Sequence, residues 1–113
     1  MEVINIRKSE LNKKGFKDFE EWQKVSNHLY IGRNMNFYVK GTNASKWQNP
    51  FSFKKQKLSA EESLKLYEQH IRSSNLINEL HELEGKVLGC WCKPNSCHGD
   101  ILIKLLNESK QFF

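Results

Sequence analysis

Residues 85–106 read GKVLGCWCKPNSCHGDILIKLL, and the way this stretch divides decides what kind of fold to expect. Gly85 is a credible helix stop, and Val87 to Cys92 then forms a short apolar run that suits a buried strand. Pro94 has no amide hydrogen and blocks further ladder pairing. From about Ser96 the period changes, with Ile101, Leu102, Leu105 and Leu106 recurring at helical spacing. A strand, a tight turn and an amphipathic helix in that order belong to an α/β protein.

Working outward, Val3 to Ile6 (VINI) alternates as a short strand. KDFEEWQKVS (17–26) predicts a helix capped by Asp18, with Glu21 placed for a capping box and Phe19, Trp22 and Val25 on one face. HLYIGR (28–33) predicts a second strand and NFYVKG (36–41) a third. SAEE (59–62) is another capping box, opening a helix through Leu64, Tyr67 and Ile71 that Ser73-Ser74-Asn75 interrupts. Leu76, Ile77, Leu80 and Leu83 continue a shorter helical stretch. The expected architecture is one α/β domain over residues 1–113, a small Rossmann-like three-layer sandwich whose mixed or mostly parallel sheet is flanked by helices.

The chain has 113 residues, 38% hydrophobic and 27% charged, the composition of a soluble globular protein. No apolar run approaches the roughly 20 residues that cross a bilayer, so no membrane partner is expected. The N-terminus carries no signal-like segment, and three clustered cysteines in such a chain predict reduced thiols in a cytoplasmic setting. The net charge of +5 is unevenly spread. From Trp22 to Ala60 there is no acidic residue, while Lys24, Arg33, Lys40, Lys46, Lys54, Lys55 and Lys57 supply seven positive charges. The remainder holds 11 basic and 13 acidic residues, so the whole excess sits in that window. A phosphate-bearing small molecule is the expected partner, with nucleic acid possible through the basic window 22–60.

All three cysteines fall within residues 90–97, the third followed directly by histidine. On a strand, Cys90 and Cys92 share a face with Leu88, while Val87, Gly89 and Trp91 take the other. Cys97 and His98 then open a helix, whose amino end favours a thiolate or an anionic ligand. Gly99 lets a ligand or backbone approach, and Asp100 stands where it can orient His98. Cys97, His98 and Asp100 are therefore the candidate catalytic set. Two other readings stay open: zinc on Cys90, Cys92, Cys97 and His98, and small core thiols at Cys90 and Cys92. The adjacency of Cys97 and His98 makes a shared metal awkward, and neither a metal nor another cofactor is expected. His28, His70 and His81 read as structural.

A second constellation lies in YIGR (30–33) and TNASKWQNPFSF (42–53). Arg33, after a strand and a glycine, can fork onto a phosphate. Trp47, Phe51 and Phe53 either fold back into the core or offer a ring to a base. Ser45, Lys46 and Asn49 would then contact a ligand stacked on Trp47. With Gly99, these give the expected ligand-binding set of Arg33, Ser45, Lys46, Trp47, Asn49 and Gly99.

INIRK (4–8), LYIGR (29–33), SKWQNPF (45–51), SAEESLKLYEQHI (59–71) and the cysteine stretch together resemble the family called domain of unknown function 4326. The resemblance implies a compact α/β fold, found in cells and in viruses or phages, whose signature is the Trp-Asn-Pro-Phe loop with the Cys-His turn. It implies no established activity. The leading expectation is a binder of a nucleotide or nucleoside derivative, acting as an enzyme on its glycosidic or phosphoryl linkage, with the pocket between the SKWQNPF loop and the Cys97-His98 helix start. The alternatives are a non-catalytic protein that sequesters a nucleotide signal or nucleic acid, and a zinc-stabilised interaction module. Whether the chain is an enzyme is left open by its sequence.

Overall fold

The computed structural model describes residues 2–51, 57–93 and 97–110. Phe53, Lys54, Lys55, Pro94 and Ser96, which carried sequence expectations, lie outside the described residues. Three short strands, β1 (Glu2–Asn5), β2 (His28–Tyr30) and β3 (Val87–Cys90), form one sheet in the order β1-β3-β2. Both pairings are parallel, with Val3 and Leu29 each level with Leu88. Ladder-like bonds continue one step past the strands, from Ile6 N–H to the Cys90 carbonyl and from Ile31 N–H to the Gly89 carbonyl, both 3.0 Å.

Side-chain alternation sorts the core into two clusters. Val3, Leu29, Ile31, Leu88 and Cys90 belong to a cluster with α3 (Ala60–Ser73), a 3-10 helix (Asn75–Leu83) and α4 (His98–Lys110). Ile4, Ile6, Tyr30 and Val87 belong to the other, with α1 (Lys8–Lys13) and α2 (Phe19–Gln23). The chain is thus a small mixed α/β structure whose three-stranded parallel sheet packs helices through these two clusters. No helix among the described residues is long and apolar enough to cross a membrane.

Local chemistry accounts for the boundaries. Asp18 accepts the Glu21 amide and caps α2; the Glu21 carboxylate returns to Lys17 N–H, one residue earlier than a full capping box requires. Ser59 and Glu62 make both bonds of the box at the start of α3. Ser74 ends that helix and accepts the Leu76 amide as the 3-10 turns begin. Gly85, at φ +73°, turns the chain into β3.

The sequence and the structure part at NFYVKG. It is not a strand but a set of turns, because Asn34 accepts the Asn36 amide and Asn36 accepts the Gly41 amide. Asparagine side chains that take up backbone donors compete with a ladder. The turn leaves Phe37 92% and Tyr38 77% exposed. Helix α1, six residues around buried Leu11, had no sequence signal strong enough to name it.

Candidate functional site

The loop 42–51 and the amino end of α4 do face one another, but the space between them is filled. Trp47 is buried, and its carbonyl accepts the Tyr67 hydroxyl at 2.7 Å. The Tyr67 ring meets the His98 ring edge-on at 5.1 Å. Tyr67 therefore occupies the place expected to be a pocket, and burial pushes its phenol well above the usual tyrosine range. This corrects the role assigned to Trp47: a ring in the core offers no free face for a base.

Its neighbours are likewise engaged. Asn49 donates to Ser63 Oγ at 3.0 Å and accepts the Phe51 amide, while Ser63 donates to the Phe51 carbonyl. Two of these bonds stitch the loop to α3, and the third, from the Phe51 amide to Asn49, closes the loop on itself. Ser45 Oγ accepts the Trp47 amide, and Lys46 Nζ sits 2.9 Å from Glu79 and also against Glu82. Arg33 alone of that set is exposed with no ion pair among the described residues, just beyond the end of β2.

At the start of α4, the expected acid–base series does not form. Asp100 turns away from His98: its carboxylate binds Lys93 Nζ at 2.7 Å and accepts the Cys97 amide at 3.1 Å, which caps the helix. His98 is buried, its Nε2 2.8 Å from the Ile31 carbonyl. Since a carbonyl only accepts, Nε2 carries the hydrogen. Burial holds the imidazole below its usual range, so the ring is neutral and the Nδ1 lone pair is free to face Cys97 Sγ at 3.7 Å. Gly99 serves packing rather than a ligand: a Cβ there would lie 2.7 Å from Val3 Cγ2 and 3.0 Å from Ile31 Cδ1.

Cys97 itself is fully buried, which seals its sulfur from a substrate, yet its surroundings are not hydrocarbon alone. The three Sγ atoms of Cys90, Cys92 and Cys97 lie within 4.8 Å of one another. Cys90 and Cys97 approach to 2.7 Å, and the Gly99 amide donates to Cys97 Sγ at 3.4 Å. Hydrogen bonds from Cys92 and Cys97 pull the Cys90 thiol down, and the same bonds to Cys90 push Cys92 and Cys97 up. The three thiols therefore titrate as one coupled set, with Cys90 the most acidic member.

On the other side of the sheet a hollow of about 270 Å³ opens at the carboxyl ends of β1 and β3. Ile6, Phe19, Val39 and Trp91 form its apolar wall, with Tyr38, two lysines (Lys8 and Lys40) and two carboxylates (Asp18 and Glu20) around it. A second hollow of about 500 Å³ shares Glu20 and Lys40 with it and adds amides from Gln23, Asn36 and Asn43. Sequence reasoning missed this place because it spent Tyr38 and Lys40 on a strand. The signal was present: two adjacent aromatics inside a basic, asparagine-rich segment bounded by Gly41.

Known proteins give a family without an activity. The family model for a domain of unknown function (DUF4326) matches residues 15–108. The chain belongs to this family. Within its reach, uncharacterised protein R718 of Acanthamoeba polyphaga mimivirus is 41% identical over 85 residues, covering 68% of this chain and 65% of that one. An uncharacterised 12.4 kDa protein from the nrdA-td intergenic region of Enterobacteria phage T4 is 52% identical over 29 residues, 26% of this chain and 27% of that one. The chain thus spans just under two thirds of the mimivirus relative. No solved structure matches.

Proposed function

We propose that this member of the DUF4326 family binds a nucleotide or nucleoside derivative in the hollow at the carboxyl ends of β1 and β3. One observation carries the reading. The connection leaving β1 packs with one apolar cluster, while α4, leaving β3, packs with the other. The adjacent strands therefore send their chains to opposite sides, and open α/β sheets bind ligands at such a crevice. This takes the architecture as a reduced, Rossmann-like three-layer arrangement.

The lining suits the ligand class. Tyr38 and Trp91 offer ring faces for a base, and Lys8 and Lys40 offer charge for a phosphate. Neither lysine has an ion pair among the described residues, whereas Lys46 is already neutralised by Glu79 and Glu82. That loss from the basic window favours a compact anion over a nucleic-acid strand. The hollow of about 270 Å³ is small for a whole nucleotide, and the ligand extends into the hollow of about 500 Å³ that shares Glu20 and Lys40 with it. The reading is of a binder. Turnover at Cys97, His98 and Asp100 loses support from the sealed sulfur and from the pairing of Asp100 with Lys93. A reducing, cytoplasm-like compartment fits three free thiols.

Thermal melts against a panel of nucleosides and mononucleotides test this. A ligand at one hundred times its dissociation constant stabilises by about 2.7 kcal/mol. At least one member should raise the melting temperature, and Tyr38→Ala and Lys40→Ala should each abolish the rise without lowering the unliganded melt. A panel without any response, or a response indifferent to both substitutions, removes the proposal.

A further inference from the structure

We propose that Cys90, Cys92 and Cys97 form a metal site for a thiophilic divalent cation, zinc being the one whose chemistry fits best. The site is independent of the nucleotide reading, since Cys90 and Cys97 belong to the cluster with α3 and α4, whereas Trp91 packs with the cluster beside the hollow.

β3 carries Cys90 on the α4 side, and alternation returns Cys92 to that side two residues later. Helix α4 packs beneath the sheet close enough that Gly99 touches Val3 and Ile31, which carries Cys97 Sγ up against Cys90. Three thiols meet inside a core that could have used aliphatic side chains. A single buried cysteine is a small hydrophobe. Three whose sulfurs all fall within 4.8 Å are a ligand set.

Distances agree with that use. Sulfurs on one tetrahedral zinc, each about 2.3 Å from the metal, stand about 3.8 Å apart. Cys90 and Cys97 stand closer than this, at 2.7 Å, and no pair exceeds 4.8 Å, so side-chain rotation is enough to bring the three onto one ion. The 2.7 Å approach of Cys90 and Cys97 is tighter than two unlinked thiols adopt and well beyond the roughly 2.05 Å of a disulfide. A cation between them relieves the crowding.

The surroundings supply what a thiolate site needs next. The Gly99 amide already donates to Cys97 Sγ. Three thiolates on a divalent ion leave one negative charge, and Lys93, held by Asp100, and the amino end of α4 stand beside it. His98 Nδ1 lies 3.7 Å from Cys97 Sγ but outside the three-sulfur group, so the fourth position falls to it only if its ring shifts, and otherwise to water. Its Nε2–H is fixed on the Ile31 carbonyl, the outer hydrogen bond that ligating imidazoles make. Binding is a simple exchange: the metal–sulfur bonds form as each thiol still protonated releases its proton to solvent, with no change of oxidation state.

The test uses the full chain, purified reduced and without air. Elemental analysis should find one zinc per chain, retained against a moderate chelator, and zinc added to metal-free protein should release protons stoichiometrically. Cobalt in its place should show thiolate-to-cobalt charge-transfer absorption. Cys92, on the partly exposed rim, is the substitution to trust. Cys92→Ser should keep the fold by circular dichroism while losing at least tenfold in zinc affinity and weakening the cobalt band. Reduced, folded protein that takes up no zinc overturns the proposal. So does a resting mass two daltons light that marks a Cys90–Cys97 disulfide, or a Cys92→Ser variant with unchanged affinity and spectrum.

Discussion

The two sides of the sheet are built on different terms. With α3, the 3-10 helix and α4, the polar residues are spent inward: Tyr67 on the Trp47 carbonyl, Ser63 and Asn49 on the loop, His98 on Ile31. The rim there is laced between elements by Glu68 with Lys104, Arg72 with Glu108 and Lys110 with Glu84. With α1 and α2 the helices are only six and five residues long, and the ion pair that side shows among the described residues, Lys13 with Glu10, lies within one helix. Its aromatics reach solvent at Phe37 and Tyr38. Polar residues in a motif-rich segment can thus be architecture, while the open chemistry sits where the helices are short.

Exchanging aromatics across the sheet gives the largest expected difference. Trp47→Ala removes a buried indole and should cost about 3–5 kcal/mol in a denaturant melt. Tyr38→Ala touches an exposed ring and should stay within about 0.5 kcal/mol of the parent. A Trp47→Phe variant that kept its stability but lost nucleotide binding would break the comparison outright and restore the stacking role to Trp47.

Gly99 comes next. A methyl group there meets Val3 and Ile31 at 2.7 to 3.0 Å, and these branched side chains have little room to yield. Gly99→Ala should destabilise by about 1–3 kcal/mol, the range for overpacking. If it instead abolished ligand binding with no change in the melt, Gly99 would be a ligand contact after all. Tyr67→Phe is smaller. It strips the Trp47 carbonyl of its buried partner and should cost about 1–2 kcal/mol, read by the same melt.

Much of the framework was legible in the chain. The capping box at Ser59 and Glu62, the stop at Gly85 and the alternation through Cys90 and Cys92 all rest on local rules, and local rules survive folding. NFYVKG was misread because alternating apolar residues suit a strand and a turn alike; two asparagine side chains decided between them. The candidate site was legible in its residues but not in their roles. Trp47 and Cys97 belong to one buried cluster, and what no spacing rule could reveal was that Tyr67, twenty residues beyond Trp47 on α3, bonds the Trp47 carbonyl and packs on His98. The three-sulfur cluster depends on the depth at which α4 docks, a tertiary quantity set by Gly99 against Val3 and Ile31.

The rim ion pairs should contribute least, and acid is the way to see them. Glu68 is held below the usual carboxylate range chiefly by the hydrogen bond from Lys104, with Arg72 adding to it. A carboxyl group depressed in the folded state binds fewer protons there than in the unfolded chain. The stability it lends is therefore present above its ordinary range and fades as the pH falls through that range toward the folded value. Glu68→Gln should lower the neutral plateau slightly and leave the acid end unchanged, so that the acid limb flattens, and the difference should shrink in high salt, because exposed charges are screened. A Glu10→Gln variant with as large an acid effect as Glu68→Gln would mean that the two sides are held by the same kind of surface charge, and that the contrast between them lies in their interiors alone.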